Sequence, residues 1–259
     1  FATYLDENKD AIIFHPTYSQ VIPLILANTE KLLESNIHDP LGKHSYVFED
    51  ISKASVIYLV HPNNPTGKLL DKSLVKGLIE KNPEKFFIID EAYFEYTNDT
   101  FADLATRYEN LIVTRTFSKA FGLAGLRIGY VIANRKIINN LNKIKNIKSV
   151  NSLAIQAANA ALDDIDYFKN CINEINSSKD LYYKEINKLK KVKTFDSLGN
   201  YLLLQTENPS ELINFFKENK ILVRDRTNME GLSGCLRLTV GSKEQTNKII
   251  ESLKEYEKF

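Results

Sequence analysis

Two cysteines, Cys171 and Cys235, are all the thiol chemistry this chain of 259 residues contains. They stand far apart, in no metal-ligand spacing and no framework of pairs. Disulfides therefore do not hold the fold, and both read as packing residues suited to a reducing cytoplasm. The four histidines, His15, His38, His44 and His61, make no ligand cluster, so no metal site is readable. An excess of one charge is also missing: 34 Lys and Arg against 33 Asp and Glu leave +1, which gives no electrostatic case for nucleic acid or a membrane surface. Lysines gather at Lys136, Lys143, Lys145 and Lys148, and again at Lys188, Lys190, Lys191 and Lys193. Acids are interspersed, and these runs read as solvated helix faces. No apolar stretch is long enough to span a bilayer, and none reads as a signal peptide. Internal repeats and low-complexity tracts are absent too.

What is present is ordinary in amount, 43% hydrophobic and 26% charged, with enough chain for one large unit or a large and a small one. Its arrangement is more telling. Apolar runs at Ala11–Phe14, Ala54–Val60, Phe86–Asp90, Leu111–Arg115 and Arg127–Ala133 read as strands. Gln20–Ser35 has helical spacing, and Asp71 reads as the N-cap of a helix with Leu74, Leu78 and Ile79 on its inner face. Phe1–Leu5 has the look of a helix end. Strands separated by helices predict a mostly parallel α/β sheet covered on both faces. The pattern changes after Arg135: a lysine-rich helix, a long helix from Leu153 to about Lys191, a strand at Asn200–Gln205, a helix at Ser210–Asn219, short strands at Ile221–Arg224 and Cys235–Val240, and a closing helix at Lys243–Lys258. This predicts a large domain over 1–160 and a small α+β domain over 161–259.

Three of the strands end abruptly in polar residues: Val60 before Pro62-Asn63-Asn64-Pro65-Thr66-Gly67, Ile89 before Asp90-Glu91-Ala92-Tyr93, and Thr114 before Thr116-Phe117-Ser118-Lys119. Ligands of parallel sheets bind beyond the carboxyl ends of strands, so an Asn, an Asp with a Tyr, and a Lys meet in one crevice. A lysine that acts as a nucleophile must shed its proton and hold a carbonyl compound as an imine. Arg127, Thr116 and Ser118 are the residue types that hold a phosphate beside it. Asp90, at the end of four apolar residues, needs donors or a positive partner. Arg237, between Leu236 and Leu238, is placed to meet an anion.

These motifs, in this order and with Pro16-Thr17-Tyr18 and Leu236-Arg237-Leu238, resemble the class I and II aminotransferases of pyridoxal-phosphate fold type I. Within them they are most similar to the histidinol-phosphate aminotransferase subfamily, over about Ala11 to the C-terminus. Segments near Ser149–Leu153 and Gly199–Leu204 are also similar to threonine-phosphate decarboxylase. The resemblance implies pyridoxal phosphate as cofactor, Lys119 as the residue that bonds it, and Asp90 on its ring nitrogen. It places Tyr93 and Asn64 on the ring's phenolic oxygen, Tyr18 stacked on the ring, and Thr116, Ser118 and Arg127 on the phosphate. It assigns Arg237 to a substrate carboxylate, Arg224, with Arg226 close by in sequence, to a second anion, and Asn200 to the neighbourhood of the carboxylate. His61, before the Asn-Asn-Pro motif, either touches substrate or is a satisfied half-buried histidine. The family carries a further segment ahead of the position of Phe1, so a chain that begins within a longer protein is expected rather than a truly short one. The activities implied are amino transfer between a phosphorylated or anionic amine and 2-oxoglutarate or, alternatively, decarboxylation of an O-phospho amino acid. A binding remnant without catalysis is the third reading, which the intact Lys119, Asp90 and Tyr93 oppose. A cytoplasmic homodimer is the expected assembly.

Overall fold

The computed structural model describes residues 1–5, 9–146 and 148–259. Among them, β1 (Ala11–His15), β2 (Leu32–His38), β3 (Ser45–Tyr46), β4 (Val56–Val60), β5 (Phe86–Asp90), β6 (Leu111–Thr116) and β7 (Gly129–Ile132) form one sheet. Their order is β3-β2-β1-β4-β5-β6-β7. The five inner strands run parallel, and β3 and β7 are antiparallel edges. Successive side chains of a strand point to opposite faces, and in β1, β4, β5 and β6 both faces are covered, so these strands are apolar without alternation, whereas β2 carries Glu34, Ser35 and Asn36. Ile12, Phe14, Ile57, Leu59, Phe87, Ile89, Leu111 and Val113 pack on one face. Ala11, Ile13, Val56, Val60, Ile88 and Ile112 pack on the other.

Helices seal both sides. Val21 and Ile25 of α1 (Val21–Leu26) lie on the second face, joined by Ile137 from a later helix. Val75 and Ile79 of α2 (Lys72–Lys81) and Ala105 of α3 (Ala102–Ala105) lie on the first. The later helix is α4 (Arg135–Ile144), which precedes α5 (Ser152–Asp163) and α6 (Ile165–Ile186). A second, antiparallel sheet follows: β8 (Lys193–Thr194), β9 (Tyr201–Gln205), β10 (Arg224–Asp225) and β11 (Cys235–Thr239), in the order β10-β11-β9-β8. With α6, α7 (Pro209–Glu218) and α8 (Lys243–Tyr256) it encloses its own core of Tyr182, Ile186, Leu202, Leu204, Leu212, Phe216, Leu236, Leu238, Ile250, Leu253 and Tyr256.

Several local expectations need correction. Gln20–Ser35 is not one helix: α1 stops at Leu26, and Leu32–His38 becomes β2, because the open edge of β1 offers it a five-residue parallel ladder. Asp71 does cap α2, accepting from Leu74 N at 3.0 Å, but Leu74 itself is 47% exposed and Val75 takes the inward position. The long helix is two helices broken at Asp164, whose backbone N–H ends α5 on Ala160 O and whose carboxylate caps α6 on Tyr167 N. Of Ile221–Arg224 only Arg224 is in a strand, and Phe1–Leu5 is a hydrogen-bonded turn in which Phe1 O accepts from Tyr4 N and Leu5 N.

The main sheet reverses its strand order between β1 and β4, and the carboxyl ends of β1, β4, β5 and β6 open beside that point. Open α/β sheets place their ligand crevices at such a reversal.

Candidate active site

A cavity of about 260 Å³ lies there, lined by Tyr18, Val60, Asn64, Asp90, Ala92, Tyr93, Thr114, Arg115, Thr116, Ser118, Lys119 and Arg127. The loop after β4 is clasped by Asn63. Its Nδ2 donates to Pro16 O and Thr66 Oγ1, both at 2.9 Å, and its Oδ1 accepts from Thr17 Oγ1 at 3.3 Å. Asn63 O accepts from Gly67 N at 2.6 Å and from the Tyr201 hydroxyl at 2.7 Å, which ties β9 of the second sheet to this loop. Gly67 has φ +70°, and a Cβ there would stand 2.0 Å from Ser197 Oγ, so only glycine lets the two segments approach. The clasp aims Asn64, whose Nδ2 lies 3.4 Å from Tyr93 Oη and whose Oδ1 accepts from Arg237 Nη1 at 2.8 Å.

Asp90 is half-buried at the last position of β5. Its Oδ2 accepts from the Tyr58 hydroxyl at 2.7 Å and its Oδ1 from Ala92 N at 3.0 Å. Burial raises its pKa, while Tyr58, Ala92 N, the Lys119 charge and the Thr114 hydroxyl pull it down. Burial also pushes the Tyr93 hydroxyl up to about 12, with Arg237 opposing. Lys119 opens to solvent on one side, and its Nζ sits 5.5 Å from the centre of the Tyr93 ring. Desolvation by the cavity wall holds its amine below the ordinary lysine value, and the charges of Arg237 and Arg127 act in the same direction against Asp90. Thr116 Oγ1 accepts from Ser118 N at 3.0 Å, fixing the turn before Lys119. Arg127, with φ +54°, spends one N–H on Ala124 O at 2.9 Å. Tyr18 is 40% exposed at the rim.

The cavity thus gathers Tyr18, Asn64, Asp90, Tyr93, Thr116, Ser118, Lys119 and Arg127 from separate strand ends. Arg237 touches it through Asn64. Arg224 lies directly opposite Arg237 in the β10–β11 ladder and is exposed. The charge of Arg226 reaches Tyr93 and helps to lower its pKa against the effect of burial. Arg226 Nε and Arg237 Nε are both buried without a hydrogen-bond partner, and no salt bridge among the described residues joins either to a carboxylate. Asn200 is half-buried and outside the cavity lining, its carbonyl accepting from Val240 N at 2.8 Å. His61 is fully buried away from the cavity, where Nδ1 accepts from Leu70 N at 3.1 Å, and burial takes its pKa down to about 4.

Sequence reasoning missed the parts played by five residues. Tyr58 carried a signal, a hydroxyl inside an otherwise apolar strand run. Tyr201 carried the same one, in Tyr201-Leu202-Leu203-Leu204. Arg115 had none: it pairs at 2.9 Å with the fully buried Glu91 and lies 3.4 Å from the centre of the Phe94 ring. Glu91 also accepts from Thr100 Oγ1 and Phe101 N, which anchors the segment after β5. Arg226 was noticed only as a neighbour of Arg224, since two arginines two residues apart, one in the edge strand β10 and one just past it, look alike in sequence.

The pattern of the aminotransferase class I and II family matches residues 1–253. A dihydroxyacetone phosphate transaminase of Campylobacter jejuni is 35% identical over 98% of this chain and 71% of its own length. A histidinol-phosphate aminotransferase of Caldanaerobacter subterraneus is 39% identical over 78% of this chain, which reaches across 57% of that relative. The crystal structure of the histidinol-phosphate aminotransferase from Clostridium acetobutylicum superposes with a TM-score of 0.88 at 25% identity, over 96% of this chain and 78% of that one.

Proposed function

Because this chain belongs to the aminotransferase class I and II family, whose members work with pyridoxal phosphate on a mostly parallel sheet of this kind, we propose that it moves an amino group between a phosphate-bearing amine and a 2-oxo acid, 2-oxoglutarate in the first instance. Lys119 is the residue on which the chemistry turns. The observation that carries the reading is the meeting of Lys119 and Asp90, from two different strand ends, in one cavity.

The donor set suits the cofactor. Asp90 has about four lone-pair sites; Tyr58 and Ala92 N come from the protein side, which leaves the carboxylate able to receive a ring N–H from the cavity. Tyr93 Oη and Asn64 Nδ2 converge on one point and suit a phenolic oxygen. Ser118, Thr116 and the remaining N–H groups of Arg127 suit a phosphate, and Tyr18 at the rim offers a ring face. When bound, pyridoxal phosphate supplies an electron sink for charge left at the substrate's α-carbon. The rest belongs to the chain. Asp90 would hold a proton on the ring nitrogen. The lowered pKa of Lys119 enlarges its neutral fraction near pH 7, so Nζ would be nucleophilic enough to hold the cofactor's carbonyl carbon with loss of water and, once the substrate amine has displaced it, would be free to carry a proton to and from the α-carbon. Residues 1–160 serve as the cofactor-holding unit, and residues 161–259 bring Arg237 onto it.

Phosphate on the substrate is supported by the two guanidiniums with orphaned Nε atoms, Arg226 and Arg237. The names of the two relatives carry the same chemistry, one a dihydroxyacetone phosphate transaminase and the other a histidinol-phosphate aminotransferase. Arg237 takes the carboxylate of the 2-oxo acid and Arg226, with Arg224 at the rim, the second anion. The partner in assembly is a second copy of the chain, supported by apolar side chains left exposed on β7 and α5: Tyr130, Val131, Ile155, Leu162 and Leu153, the last 73% exposed. No helix among the described residues is long and apolar enough to cross a membrane.

The test supplies histidinol phosphate, O-phosphoserine and O-phosphothreonine separately, each with and without 2-oxoglutarate. Glutamate formed only when both partners are present is expected. Carbon dioxide released without a keto acid, with no glutamate in any mixture, replaces amino transfer by the decarboxylase reading.

A further inference from the structure

Asp90 is the one ionisable group at the cavity floor whose charge has to persist despite burial, and the way the protein keeps it so is built into β4. Tyr58 pairs with Ile88 across the β4–β5 ladder, which puts its side chain on the same face as Asp90, two residues further along β5. That diagonal is within reach of a long aromatic side chain. Tyr58 is 5% exposed, and its hydroxyl donates to Asp90 Oδ2 at 2.7 Å. With Ala92 N on Oδ1, the carboxylate is gripped at both oxygens and its plane is fixed.

We propose that Tyr58 is a positioning residue for the cofactor: its buried hydroxyl locks the Asp90 carboxylate in the orientation, and in the charge state, that the ring nitrogen requires. The proposal rests on the reading of this cavity as a pyridoxal-phosphate site. A proton shared between a carboxylate and a pyridine nitrogen sits on nitrogen only while the carboxylate is the weaker base. Each donor to the carboxylate lowers its basicity, and hydrogen bonds to ionised groups are roughly twice as strong as neutral ones. The groups that face Asp90 are Tyr58 from β4, Thr114 from β6, Ala92 N, and Lys119 from the turn after β6; Tyr93, Tyr18 and Tyr201 stand around them. Tyr58 does not become a rival anion, because burial and the adjacent Asp90 charge hold its own ionisation well above the ordinary tyrosine value. It remains a donor throughout the working pH range. Lys119, by contrast, has to give up its proton to react, so its charge is not a constant support for Asp90. Without Tyr58 the proton moves toward Asp90, and the ring loses electron-withdrawing power.

Tyr58→Phe keeps the ring that packs against Phe1 and removes only the hydroxyl. Two measurements decide the matter. In the chain without cofactor, isotope-edited infrared spectroscopy follows the carboxylate band that Asp90→Asn abolishes; its titration midpoint is expected to move up in Tyr58→Phe. Fluorescence titration with pyridoxal phosphate is expected to give an affinity lower by about tenfold, the scale of one hydrogen bond to a charged group. Tyr182→Phe, which trims a fully buried tyrosine in the other core, is the control and is expected to change neither. An unchanged Asp90 midpoint together with wild-type cofactor affinity in Tyr58→Phe overturns the proposal. A wild-type chain that binds no cofactor overturns the reading of the site instead, and the infrared arm still decides whether Tyr58 governs Asp90.

Discussion

Glu95, two residues beyond Tyr93 in the turn Phe94–Tyr96, makes the stability of this chain depend on pH in a direction opposite to that of an acid paired with a cation. It is 8% exposed, and neither carboxyl oxygen has a hydrogen-bond partner from another residue. Burial raises its pKa from 4.5 to about 7; its own backbone amide and the Arg115 charge oppose this, and Glu91 adds to it. A carboxyl whose folded pKa lies above its unfolded one binds more protons when folded between those two values. Its contribution is therefore present below pH 4.5 and is lost as pH rises toward about 7. At about 1.4 kcal/mol per pH unit across that window, the ionised Glu95 costs the folded state about 3 kcal/mol by pH 8, and less than about 1 kcal/mol at pH 5. Glu95→Gln removes this titration. Urea unfolding of both proteins from pH 5 to 8 should give a stability difference that grows in favour of the variant by about 2 to 3 kcal/mol, at unchanged m. The difference between the two curves is the quantity to read. His44 and His61, each held near pKa 4 by burial, add a rise of stability with pH up to about 6.5 that is common to both proteins. Parallel curves would show that Glu95 ionises freely in the folded protein and would refute the reasoning.

Other outcomes follow from the same geometry. Asp90→Asn should cost far more turnover than Tyr93→Phe, since the first removes the charge that keeps the ring nitrogen protonated and the second one neutral hydrogen bond, about 0.5–1.5 kcal/mol; equal losses in kcat would make Asp90 structural. Gly67→Ala should lower stability by more than about 1 kcal/mol and loosen the second sheet from the Asn63 clasp, because φ +70° and the 2.0 Å approach to Ser197 Oγ forbid a Cβ; urea melts and limited proteolysis would reveal a tolerant loop. Arg226→Gln should raise KM for the phosphorylated substrate about tenfold or more, whereas Arg224→Gln, at the exposed rim, should raise it less; the reverse ranking would move the second anion to Arg224.

The parallel part of the fold was legible because its strands are buried on both faces, so Ile57, Phe87 and Val113 sit in unbroken apolar runs that no surface helix would carry. Leu32 and Leu33 were not, since Leu32–Ser35 satisfies helical spacing as well as a strand and only the open edge of β1 decides between them. The break at Asp164 was hidden for a similar reason: an Asp inside a helical pattern announces a cap only once the chain has turned. In the site, Asn64, Asp90 and Lys119 were readable from strand ends that stop in polar residues. The supports behind them were not. Tyr58 looks like one more strand residue until the β4–β5 register brings it to Asp90. Arg226 is separated from Arg224 by burial, its Nε enclosed while Arg224 stands exposed, which two nearby arginines do not reveal in sequence.

The central claim is that Lys119 is the residue that takes the cofactor's carbonyl carbon. Incubating the chain with pyridoxal phosphate, reducing with borohydride and mapping the peptides by mass spectrometry tests it most directly. One stable adduct on Lys119, absent from Lys119→Ala, is the predicted result. An adduct confined to another of the chain's lysines, or an undiminished yield in Lys119→Ala, would contradict the account.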